Sequence, residues 1–118
     1  MILGTGVDTV SLSRFETKLA ETPRLKDRLF LDIETVNDGA EASVQTLAGR
    51  FAAKEALYKA LSPEHGLHWH DAEVINHLNG KPAFLFRGEI ADLVDGANVH
   101  LSLSHDAGIA SAMVVIEK

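Results

Sequence analysis

Ser43-Val44-Gln45-Thr46-Leu47-Ala48-Gly49-Arg50-Phe51-Ala52-Ala53-Lys54-Glu55-Ala56-Leu57-Tyr58-Lys59-Ala60-Leu61 is the stretch on which the fold turns. It is rich in Ala and Leu, which give up little side-chain freedom in a helix. Ser43 is a candidate N-cap and Pro63 stands just past the other end, so one long helix is expected over 43–61. At about 100° per residue, Glu55 falls in an arc shared with Val44, Ala48 and Phe51, with Tyr58 near one edge. Arg50 and Lys54 lie off that arc, and for Lys54 the plain alternative to a ligand contact is solvation at the surface. A carboxylate within an apolar stripe is costly unless paired. Glu55 therefore needs Lys59, four residues on, or a metal ion.

Strand-like segments flank the helix. Residues 2–9 are β-leaning and punctuated by glycine, and alternation places Ile2, Gly4, Gly6, Asp8 and Val10 on one face. With two glycines as its same-face neighbours, Asp8 is expected to look onto open room above the sheet. It either caps the turn that follows or stands beside a cation. A helix is expected over 11–20, with Leu12, Phe15 and Leu19 on one face. Residues 31–42 hold four acids, no base and the turn Asn37-Asp38-Gly39, and read as a solvated loop or short helix. A hairpin is expected from strands 72–77 and 83–86 around Asn79-Gly80, then a short helix over 88–94. A second hairpin joins 98–106 to 109–117 around Asp106-Ala107-Gly108. There Val99, Leu101 and Leu103 share the core face with His105, while Ser102 and Ser104 face away. The fold class is α+β: a single domain, residues 1–118, of mostly antiparallel sheet packed on one long helix and shorter helices.

Composition narrows the function classes. With 46% hydrophobic and 24% charged residues, the 118-residue chain has the make-up of an ordinary globular domain. The absence of cysteine excludes disulfides, thiolate metal sites and a cysteine nucleophile. The opening segment has no basic leader region, and no apolar run approaches the roughly 18 residues of a spanning helix, so a cytoplasmic protein is expected. Eleven Lys and Arg against seventeen Asp and Glu give a net charge of −6, which argues against nucleic acid as a partner. Within that average lies a basic strip: residues 14–28 carry Arg14, Lys18, Arg24, Lys26 and Arg28 against Glu16, Glu21 and Asp27. No phosphate-loop, dinucleotide or nucleophile-elbow motif is present. His65, His68 and His70 form a rival cluster that suits zinc, in a turn-like segment without helical spacing.

Four blocks carry a family resemblance. Gly6-Val7-Asp8 with Arg14 is similar to the opening GxDxxxxxR pattern of the holo-acyl-carrier-protein synthases, the small 4′-phosphopantetheinyl transferases. Residues 50–60 resemble their helix signature RFAAKEAxxKA, Gly80-Lys81-Pro82 their GKP turn, and Ser102-Leu103-Ser104-His105 their SxSH strand. The blocks stand in order and span essentially the whole chain, while residues 31–45 and 63–71 match none. The resemblance implies transfer of the 4′-phosphopantetheine arm of coenzyme A to a serine of apo acyl carrier protein, in service of fatty acid biosynthesis. Adenosine 3′,5′-bisphosphate would leave, and Mg²⁺ would be held by Asp8 and Glu55. Glu55 would take the serine proton, directly or through a water, and Lys59 would meet the phosphate. Arg50 and Lys54 are expected at phosphate groups, Ser104 and His105 at the 3′-phosphate or ribose, and Gly80, Lys81 and Pro82 along the adenine. The family also implies a homotrimer with sites between subunits, its interface drawing on the long helix and the last strand. Arg14, Lys18, Arg24 and Arg28 are expected to meet the acidic carrier protein. Two other readings compete: a coenzyme A-binding module without chemistry, and a zinc hydrolase built on His65, His68 and His70.

Overall fold

In the computed structural model, which describes residues 1–62, 66 and 68–118, period-two alternation at both ends of the chain becomes one antiparallel sheet. Its strands are β1 (Ile2–Ser11), β6 (Asn98–Asp106) and β7 (Ile109–Glu117), in the spatial order β1-β7-β6. β6 and β7 pair from Asn98↔Glu117 to Asp106↔Ile109. Ala107 and Gly108 turn between them with φ of 49° and 76°, the left-handed pair whose twist suits a two-residue hairpin. β1 runs antiparallel to β7 from Gly4↔Ile116 to Ser11↔Ile109. Val10, Leu101, Ala110, Ala112, Val114 and Ile116 fill the inner face.

α1 (Leu12–Glu21) follows β1 directly, with the Ser11 hydroxyl accepting the Arg14 N–H as its cap. It buries Phe15 and stops ahead of Pro23. α2 (Leu25–Leu29) buries Leu29 and leads into a 3₁₀ turn over Asp32–Thr35. Next comes a minimal hairpin of β2 (Val36–Asn37) and β3 (Ala40–Glu41). The acid-rich segment, expected as a solvated loop or short helix, contains the short 3₁₀ helix Asp32–Thr35 but is not solvated throughout, because Glu34 at its centre is 1% exposed.

α3 (Val44–Leu61) is the helix expected from the opening stretch, with the Ser43 hydroxyl accepting the Thr46 N–H at 3.1 Å. The expectation of a single apolar stripe is corrected. The sheet covers one side of α3, and the 3₁₀ turn and β4 (Ala72–Asn76) cover another, so Arg50 and Lys54 are buried along with the alanines. Phe51 stacks on Phe15 at 5.2 Å and meets Trp69 at 5.7 Å, tilted by 43°. Trp69 opens a second 3₁₀ turn, Trp69–Asp71. β4 pairs with β5 (Pro82–Phe86) from Ala72↔Phe86 to Asn76↔Pro82, closing through Gly80 at φ 84°. Proline is accepted as the first residue of that strand because it need not donate to the ladder there. α4 (Gly88–Leu93) completes the α+β fold.

Candidate active site

Two glycines decide how β1 meets α3. A Cβ on Gly6 would fall on the Ala56 carbonyl oxygen, and one on Gly4 on that of Ala60. The space beside Asp8 is therefore not open, as alternation alone suggested; the helix backbone fills it. This close approach lowers the Lys59 side chain onto the strand, where its ammonium donates to the Val7 carbonyl at 2.9 Å and to Asp8 Oδ1 at 3.1 Å. Glu55, one residue before Ala56, joins the same corner. Burial raises its pKa first, the Asp8 carboxylate raises it further, and Lys59 works the other way. The i,i+4 partner expected for Glu55 is thus hydrogen-bonded to Asp8 instead. Two carboxylates and one ammonium leave this corner with an excess negative charge, and their hard oxygens fit a Mg²⁺-type ion. Among the described residues, no group of three or more His, Asp or Glu side chains is placed to hold a metal.

A cleft of about 550 Å³ lies on another side of the same helix, bounded by α3, β4, β6, the β4–β5 turn and the β2–β3 tip. Gly49 makes room in it for His105: a Cβ there would sit 2.9 Å from the imidazole Nε2. That ring nitrogen lies 3.1 Å from the Gln45 carbonyl. Arg50 forms part of the wall, its guanidinium donating to the Glu34 carbonyl and, at 3.2 Å, to the Val36 carbonyl. Burial lowers the Arg50 pKa, opposed by Glu34. Gly80 also lines the cleft, which brings Arg50, Gly80 and His105 together from three sequence blocks.

Other expected site residues stand elsewhere. Lys54 is neither solvated nor free to meet a phosphate. It is 0% exposed, its ammonium donating to Glu34 Oε1 and to the Trp69 carbonyl, both at 2.8 Å, and lying 5.6 Å from the centre of the Phe30 ring. Desolvation lowers its pKa, with Glu34 opposing most strongly. Ser104 is exposed on the sheet face opposite His105, as strand alternation requires. Lys81 and Pro82 border a separate groove of about 350 Å³ between β5 and β6. Arg14, Lys18, Arg24 and Arg28 are all exposed, on α1, α2 and the turn between them. Of the histidine cluster, His65 lies outside the described residues, His68 is exposed, and the His70 ring lies 2.7 Å from the Asp27 carbonyl. Glu34 was the residue that sequence reasoning missed. Its side chain accepts the Leu31 N–H three residues back, a capping arrangement that a Glu at the third position of a turn can signal.

Residues 4–110 match the model of the 4′-phosphopantetheinyl transferase superfamily. A holo-[acyl-carrier-protein] synthase of Leifsonia xyli subsp. xyli is 50% identical over 121 residues, covering 100% of this chain and 98% of that protein. The crystal structure of the holo-[acyl-carrier-protein] synthase from Neisseria meningitidis superposes with a TM-score of 0.88 at 31% identity, covering both chains completely (100% of each). The Helicobacter pylori synthase, solved in complex with coenzyme A, gives 0.80 at 29% identity over 96% of this chain and 99% of that one. The chain is an enzyme and belongs to the 4′-phosphopantetheinyl transferase superfamily; within it, its place is among the holo-[acyl-carrier-protein] synthases.

Proposed function

We propose that the protein transfers the 4′-phosphopantetheine arm of coenzyme A to a serine hydroxyl of apo acyl carrier protein, releasing adenosine 3′,5′-bisphosphate, and that it serves fatty acid biosynthesis in the cytoplasm. The observation that carries this reading is the corner where Asp8, Glu55 and Lys59 meet. Asp8 and Glu55 would hold Mg²⁺, which when bound supplies charge neutralisation at the pyrophosphate. Lys59 donates to a phosphoryl oxygen and stabilises the charge that grows as the P–O bond breaks. The acceptor serine is a weak nucleophile until it loses its proton. Glu55 receives that proton, directly or through a water. Arg50, His105 and Gly80 line the cleft and would receive the nucleotide end of coenzyme A. In a single chain Ser104, Lys81 and Pro82 lie apart from that cleft.

That separation, together with an apolar outer sheet face, supports a homotrimer with sites between subunits. Leu3, Val7, Ile109 and Met113 are 53%, 61%, 38% and 50% exposed on β1 and β7. Patches of this kind mark association surfaces. The long helix buries Leu47, Ala48, Ala52, Ala53, Ala56 and Leu57 in its own core, which favours the sheet as the larger part of that interface. Coenzyme A, Mg²⁺ and an apo carrier protein should yield a carrier heavier by one phosphopantetheine arm in intact-mass spectrometry. Asp8→Ala should abolish the gain. Absence of any gain with a matched carrier, or an Asp8→Ala protein as active as the wild type, would sink the proposal. Coenzyme A binding without transfer would identify a binding module.

A further inference from the structure

Glu34 is 1% exposed and is tied to three elements at once. Its Oε1 accepts the Leu31 N–H at 2.9 Å and the Lys54 ammonium of α3 at 2.8 Å. Its Oε2 accepts the Val74 N–H of β4 at 2.9 Å, and its backbone carbonyl accepts the Arg50 guanidinium. Arg50 and Val74 are walls of the 550 Å³ cleft, and a third wall, Asn37 and Asp38, begins three residues after Glu34. A buried carboxylate is stable only with its partners in place, so these contacts leave the three walls little freedom to shift relative to one another. The Asp8–Glu55–Lys59 corner is held separately, by the glycine contacts of β1.

We propose that Glu34, neutralised by Lys54, is a positioning residue that sets the Arg50 guanidinium and the width of the cleft for the nucleotide end of coenzyme A. The proposal rests on the transferase reading for the identity of the ligand. It differs from a plain stability role because the affected quantity is coenzyme A affinity rather than turnover.

The discriminating variant is the double substitution Glu34→Gln with Lys54→Met. It removes both buried charges together, which proteins often tolerate, whereas either change alone strands one charge in the core. In the double variant the KM for coenzyme A and the calorimetric Kd for adenosine 3′,5′-bisphosphate should both rise about tenfold, the cost of loosening one charge-assisted hydrogen bond. kcat should stay close to the wild-type value, since the catalytic corner has its own anchor. A double variant with wild-type KM and Kd overturns the proposal, as does one in which kcat falls while KM and Kd hold. If the double variant does not fold, Glu34→Asp makes the same comparison. It keeps the charge facing Lys54 but is too short to span all three contacts, and wild-type affinity in it equally overturns the idea. Wild-type protein that binds neither coenzyme A nor adenosine 3′,5′-bisphosphate would instead defeat the transferase reading.

Discussion

Under the proposed mechanism, Glu55 would have opposite effects on the fold and on the chemistry. Its folded-state pKa is raised above the ordinary 4.5, chiefly by burial and then by Asp8. A raised carboxylate pKa stabilises the fold below the unfolded value, and that contribution is lost as pH rises through the folded value. Above that value, ionised Glu55 therefore works against the fold. Glu55→Gln should melt above the wild type at neutral pH in the absence of divalent ions, and the gap should close as pH falls to 4.5 and below. Adding Mg²⁺ should narrow the gap from the wild-type side. Thermal scans across pH check this, and a wild type that melts as high as the variant at neutral pH would refute it. The same substitution should cut transfer by roughly 10²–10⁴-fold, the usual cost of losing a general base.

Among the elements, α1, α2 and the turn between them carry the exposed bases of the 14–28 strip. Arg14, Lys18, Arg24 and Arg28 remain exposed on a protein whose overall charge is −6. Reversing Arg14 or Arg24 to Glu should weaken use of the carrier protein about tenfold or more at low salt, through lost steering, with KM for coenzyme A unchanged. The deficit should shrink as salt rises and shortens the screening length. Steady-state kinetics with each substrate varied at two ionic strengths measures it; equal damage to both substrates would contradict a docking role.

Elements with a strong local code were legible in sequence. The β6–β7 hairpin came out residue for residue because alternation and the Ala107-Gly108 turn agree. α3 was bounded by a cap and a proline. What escaped was tertiary. Gly4 and Gly6 suggested vacancy, when their small size lets a helix press down. Lys54 read as a phosphate contact or a solvated residue because helical periodicity knows of one covered side, and a second layer closes over it. Asp8 and Glu55 were legible as candidates because each is a charge in an apolar pattern, though nothing in their spacing placed Lys59 on Asp8.

The three-stranded sheet has one face in the core and one face outside. In the proposed trimer the outer face, with Leu3, Val7, Ile109 and Met113 exposed, would be the surface for self-association. Val7→Asp should shift the protein from trimer to monomer in light scattering, since an unpaired charge in an apolar interface is strongly unfavourable. Transfer activity should fall with it if neighbouring subunits complete the site. A monomeric wild type, or a Val7→Asp trimer, would argue against this interface.

Trp69 is the only tryptophan in the chain, and it rests on Phe51 with its carbonyl receiving the Lys54 ammonium. Indole emission from this protein therefore has one source, located where the 3₁₀ turn is fastened to the long helix. Its colour and intensity follow the loosening of that joint without any attached label, so the molecule contains its own optical gauge of whether the helix is seated.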